Sequence, residues 1–211
     1  PDLYDNNGLT GGLTGGLANW CLMAGGCYNT TPGGASGNSP CWANPLMRAQ
    51  IGWVTPSYTT LNRRGFRFPD AKTENVVAKI WDGVPLGEYF LVENRQKTGF
   101  DQGLPGSGLL IWHIDENISS NSSPWWYISN SMQLTNLGHH RVSLLQADGN
   151  FEMERNINAG DSGDAYVKGK TLTSTTVPSS RAYNFPLNTT GQGRITDVVV
   201  SGISDSGPVM T

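Results

Sequence analysis

Charge is scarce in this sequence, and long apolar runs are missing. Charged residues make up 15% of 211 positions, against roughly 25% in typical soluble domains. Lys plus Arg number 14 against 17 Asp plus Glu, a net charge of −3 with no basic stripe. Nucleic acid and anionic membranes are thereby poor candidates as partners, and no nucleic acid partner is expected. No apolar stretch nears the ~18 residues of a membrane span, and no signal-peptide pattern is present. The first residue is Pro1 rather than Met, so the chain is expected to be a processed or truncated piece of a longer precursor.

Cysteine is also sparse. Cys21, Cys27 and Cys41 are an odd set, which leaves one thiol over. Their spacing, with no histidine nearby, does not match a zinc site. The expectation is one disulfide, Cys27–Cys41, closing the Gly/Ser/Asn loop. Cys21 is then left free or bonded to a missing segment. A closed loop of about 15 residues corresponds to about 3 kcal/mol in the chain-entropy picture.

Glycine is plentiful, with 27 residues, and Ser, Thr and Asn supply the polarity that charge does not. This balance fits a loop-rich β protein outside the cell. The sequons at Asn29, Asn117, Asn121 and Asn188 fit exposed loops. Residues 1–38 are rich in Gly, Thr and Asn, and "LTGG" repeats in tandem at 9–16. A short helix is expected around 41–50, with Pro45 in its first turn, where proline is tolerated. From about residue 57 the pattern turns to strands. "NVVAKIWD" (75–82), "GEYFLVENRQ" (87–96), "SGLLIWHID" (107–115), "RVSLLQA" (141–147) and "RITDVVVSGIS" (194–204) are β-branched or aromatic runs bounded by turn formers. Apolar on both faces, they read as inner strands of a sandwich. The fold expected is mainly β in two parts: a remnant with one helix at 1–55, and a β-sandwich domain with long loops at 56–211.

"ANWCLMAGGCY" places Met23 in a tight Gly-rich turn. One clan of zinc peptidases has such a turn, its methionine packed under a metal held by a His-Glu-x-x-His helix and a third ligand beyond it. A soft, unbranched side chain fills that place without competing for the metal. The segments "PDLYD", "NWCLMAGG", "IGWV", "EYFLVENRQKTGFD", "LPGSGLLIWHID", "LLQADG" and "GDSGD" follow in order from Pro1 to about Asp164. Together they resemble the immune inhibitor A family of secreted bacterial zinc metallopeptidases, of the metzincin clan.

That resemblance implies that Met23 is the Met-turn methionine and that Asp2 stands at the third zinc-ligand position. The family's His-Glu-x-x-His segment is not among these residues. The other two zinc ligands and the general-base glutamate are therefore expected upstream, on another part of the same precursor. Polypeptides would be the substrate. This chain alone would be inactive. Two other classes stay open: a non-catalytic binding or adhesion module, and a structural subunit that self-associates through strand edges.

Four further groups carry polar chemistry. "DGNFEMERNINAGDSGDAY" (148–166) gathers hard oxygens from Asp148, Asn150, Asn156, Asn158, Asp161 and Asp164, the donors calcium takes. Asp, Asn and Gly also simply make turns. The family's use of structural calcium favours an ion, held by some of Asp148, Asn156, Asp161 and Asp164. Asp5, Asn6 and Asn7 form a second, weaker candidate. His113 and Asp115 share a strand face, where a strand histidine hydrogen-bonded to a carboxylate is the plain expectation; His139 and His140 point apart. Glu93 and Arg95 share a face and are expected to form an ion pair or to orient a loop against the catalytic half, and neither they nor Glu88 are given acid–base roles.

Overall fold

The computed structural model describes residues 2–4, 16–59, 62–81, 87–121, 140–183 and 194–211. The sheet is built around two strands, β4 (Glu88–Arg95) and β5 (Gly108–Asp115), each 8 residues long and buried throughout. They pair antiparallel from Glu88↔Asp115 to Arg95↔Gly108. Their middles, Tyr89–Val92 and Leu109–Trp112, are apolar on both faces, and the pleat sends alternate side chains to opposite sides. Leu91, Leu110, Trp112 and Ile114 enter one hydrophobic cluster. Phe90, Val92, Leu109 and Ile111 enter the other.

Shorter strands complete a mixed sheet. β3 (Ala78–Ile80) runs antiparallel to β4, β1 (Ser57–Thr59) parallel to β3, and β6 (Val142–Leu144) antiparallel to β5. β2 (Phe68–Pro69) pairs with β7 (Val209–Met210) in a two-stranded ribbon. Among the described residues the molecule is mainly sheet with little helix: five strands in the order β1-β3-β4-β5-β6, plus the ribbon. The edge strand β6 is closed by a side chain, since Asn121 accepts from Val142 N–H at 3.0 Å and donates to its carbonyl at 2.8 Å. Asn121 is thus a structural residue with no exposure, contrary to the exposed loop expected of its sequon. Asn29, 5% exposed, is likewise buried.

The expected helix is α1 (Pro45–Gln50), shorter than its pattern. Pro45 occupies its first turn, and the Asn44 side chain caps it by accepting from Met47 N–H at 3.0 Å. Leu46 and Met47 of this helix join Leu17, Trp20, Cys21 and Ala24 in the cluster under Leu91, Trp112 and Ile114. The described part of segment 1–55 therefore shares one core with the sheet. On the opposite face Phe68 and Met210 of the ribbon pack with Leu145, Tyr166, Leu172 and Ile203.

Residues 194–204 do not form the expected strand. Only Val200 bridges, to Leu172. Asp197 takes a left-handed φ of 60°, which interrupts an extended run, and Ile195 and Val199 are exposed. No helix among the described residues is long and apolar enough to cross a membrane.

Candidate functional site

The 148–164 loop is assembled from small turns that bring three carboxylates together. Asp148 accepts from Asn150 N–H at 3.0 Å, and Asp161 accepts from Gly163 N–H at 2.6 Å. Such Asx turns are the local habit of these residues. The Ala147 N–H donates to the Asp164 carbonyl at 2.9 Å, which holds Asp148 beside Asp164. Asp148, Asp161 and Asp164 each present an oxygen within 4.8 Å of the others. Gly163 makes room for this: a Cβ there would lie 2.9 Å from Asp148 Oδ2 and 3.0 Å from Asp161 Oδ1. Asn156, in the same loop, is exposed, with a left-handed φ of 53°, and its N–H donates to the Met153 carbonyl.

Among the described residues, no lysine or arginine pairs with the three aspartates. Arg155 spends its guanidinium on the Asn150 carbonyl. Asp164 is 1% exposed. Burial pushes its carboxyl up to about 6, aided by the charges of Asp161 and Asp148 and opposed by its hydrogen bonds. Its Oδ2 accepts from the Trp20 indole N–H at 2.9 Å and from Asp161 N–H at 2.8 Å. Its Oδ1 is buried without a hydrogen-bond partner. Glu152 adds a fourth carboxyl beside Asp161, also raised, by desolvation and then by its hydrogen bond with Asp161. Hard oxygens, an unpaired buried acceptor and a space that a Cβ would fill together fit a divalent cation of the calcium class.

A second corner joins the start of the described chain to the methionine turn. Leu3 N–H donates to the Met23 carbonyl at 3.0 Å, and Leu17 N–H donates to the Leu3 carbonyl at 3.3 Å. Asp2 is exposed and accepts from Tyr4 N–H at 2.9 Å. Met23 lies half-buried between two 3₁₀ turns, Ala18–Trp20 and Gly25–Tyr28, packed on the core. Among the described residues Asp2 belongs to no group able to hold a metal. Zinc thus does not fit the residues of this corner by themselves.

The expected Cys27–Cys41 disulfide is replaced by three free thiols. Cys41 is 2% exposed, wedged against Gly26, and donates to the Asn19 carbonyl at 3.6 Å. Cys27 lies 3.9 Å from the Tyr4 hydroxyl. The two sulfurs serve different neighbours on either side of the turn.

The remaining polar candidates are structural. His113 Nε2 is 2.9 Å from Glu88 Oε1, both buried, and Tyr183 stacks on the ring at 3.9 Å. Asp115 instead accepts from Asn117 N–H at 2.9 Å. Glu93 pairs with Arg95 at 3.3 Å and also with Arg48, while Arg95 reaches Asp101 at 2.7 Å. His139, Asp5, Asn6, Asn7 and Asn188 lie outside the described residues. Trp20 and Gly163 were not signalled as site residues: their partners are fixed by tertiary packing, and for Trp20 the partner is 144 positions away. Comparison with family models, curated proteins and solved structures returns no match.

Proposed function

We propose that this chain is part of a secreted, zinc-dependent endopeptidase. In this reading it carries the third-ligand aspartate, Asp2, and the Met-turn methionine, Met23, while the zinc-binding helix and general base belong to an upstream half of the same precursor. The observation that carries the reading is the 3.0 Å hydrogen bond from Leu3 to Met23, which sets the Asp2 segment against the methionine turn. The residues "PDLYD" and "NWCLMAGG" lead to the same pairing by resemblance. When bound, zinc supplies the activated water that attacks a peptide carbonyl. Asp2 would be one of its protein ligands, and Met23 would pack beneath it. The segment around Met23 is a remnant of the metzincin lower subdomain, and the sheet with its β2–β7 ribbon is the sandwich that buttresses it. One calcium is held by Asp148, Asp161 and Asp164.

Zinc-dependent casein hydrolysis tests this. The precursor is expected to be active, to lose roughly 100-fold or more on Asp2→Ala, and the 211-residue chain to be inactive by itself. Equal activity of the short chain would place the active site elsewhere. An inactive precursor would favour the second reading, a non-catalytic extracellular module.

A further inference from the structure

Two loops remote in sequence meet at Trp20 and Asp164. Besides the indole–carboxylate hydrogen bond of 2.9 Å, Asn19 N–H donates to the Ala159 carbonyl at 3.1 Å. Gly160 packs closely against the indole, where a Cβ would come within 2.5 Å of Nε1. Trp20 has no exposed surface. It is also the last residue of the 3₁₀ turn that leads into Cys21 and Met23. Asp164 is therefore shared: Oδ2 is engaged by Trp20 and by Asp161 N–H. Oδ1, on a side chain 1% exposed, has no hydrogen-bond partner and is left for a ligand.

We infer that a calcium ion held by Asp148, Asp161 and Asp164 locks the turn carrying Met23, so that the Asp2–Met23 corner is set by cation occupancy. The inference rests on the calcium site proposed above. Without a cation the three carboxylates repel one another and favour a looser loop. Asp164 cannot follow that loosening without releasing the Trp20 indole, which is wholly buried. With the cation bound, the carboxylate that anchors Trp20 is fixed on its other oxygen. Binding to the closed loop alone then suppresses opening in proportion to free calcium over Kd, and closure of the turn in return tightens calcium. Magnesium, smaller and reluctant to dehydrate, suits three carboxylates in a flexible loop poorly.

The test is hydrogen exchange of the full 211-residue chain in calcium, in magnesium and in chelator, with Kd measured by equilibrium dialysis. The amides of Leu3, Trp20 and Ala24 report the turn, and those of β5 report global unfolding. In chelator the turn amides are expected to exchange faster than β5. In calcium at a hundred times Kd they slow by about 100-fold, with little change in magnesium. Trp20→Phe should bind calcium yet lose most of the protection at the turn. If that variant does not fold, the wild-type calcium dependence still decides, with Asp161→Asn as the variant expected to lose both binding and protection. Calcium binding without slower exchange at the turn overturns this inference and leaves the site standing. No binding at all overturns both.

Discussion

Glu93 and Asp101 are wholly buried, and each meets a guanidinium: Arg48 and Arg95 flank Glu93, and Arg95 with Lys72 holds Asp101. Asp164 is buried to the same degree, yet it and its neighbours Asp148 and Asp161 meet no cation among the described residues. The consequences run in opposite directions. Burial works against the charge on Asp101, but Arg95 and Lys72 outweigh it and hold the carboxyl below its ordinary range. At Asp164 burial and like charge act together, and the carboxyl is pushed up to about 6. A protein that pairs its buried acids so fully in one place has the means to do so in another. Where it leaves them unpaired, in a loop cleared by Gly163, the missing charge is one a bound ion would supply.

The largest effect is expected in the paired region. Glu93→Gln leaves Arg48 and Arg95 facing one another in the core without their counter-charge, and keeps one acceptor oxygen where Glu93 offered two to Arg48, Arg95 and the Trp112 indole. The cost should be about 3–5 kcal/mol, read as a lower denaturation midpoint at unchanged slope. A loss below ~1 kcal/mol would mean that the network is no better than a surface pair. In the acidic loop, calcium at a hundred times Kd should stabilise the chain by about 2.7 kcal/mol. For a chain of this size that raises the melting temperature by roughly 5–10 °C over chelator.

Neutralising one member of each region separates them by sign. Where Glu93→Gln destabilises, Asp161→Asn in chelator should leave stability unchanged or raise it by ~1 kcal/mol or less, because repulsion is relieved. The same substitution should abolish the calcium response. Destabilisation by several kcal/mol in chelator would show that Asp161 holds the loop by hydrogen bonding alone. The smallest effect concerns Glu154, whose carboxyl burial raises to about 7 from an ordinary 4.5. A raised carboxyl favours the fold while protonated; this contribution is full below about 4.5 and is lost as pH rises through about 7. Glu154→Gln should therefore flatten the fall in stability across that window, which denaturation midpoints at several pH values would reveal.

Much of the sheet was legible because the middles of β4 and β5, Tyr89–Val92 and Leu109–Trp112, are apolar on both faces, as in a strand covered on both sides. The helix was legible from Pro45 and its one-sided apolar residues, although its cap at Asn44 set the start later than the pattern implied. Residues 194–204 misled because Ile195 and Val199 face solvent while Val198 and Ile203 are buried, and the left-handed Asp197 interrupts the extended run. The β2–β7 ribbon pairs two residues from each end of a long separation, for which no local signal exists. Within the site, Asp161 and Asp164 were readable from their turn. The left-handed backbone of Asn156, φ 53°, was not. The disulfide expectation weighed loop closure and could not register that Cys41 is packed under Gly26.

The most direct test of the contrast between paired and unpaired acids is a calorimetric titration of calcium into the chelator-treated chain at neutral pH. One ion per chain is expected, with no corresponding heat for Asp161→Asn and an unchanged response for Asp70→Asn, whose carboxylate already has Lys72 at 2.7 Å. A chain that takes up no calcium, or an Asp161→Asn variant that binds as tightly as the parent, would contradict it.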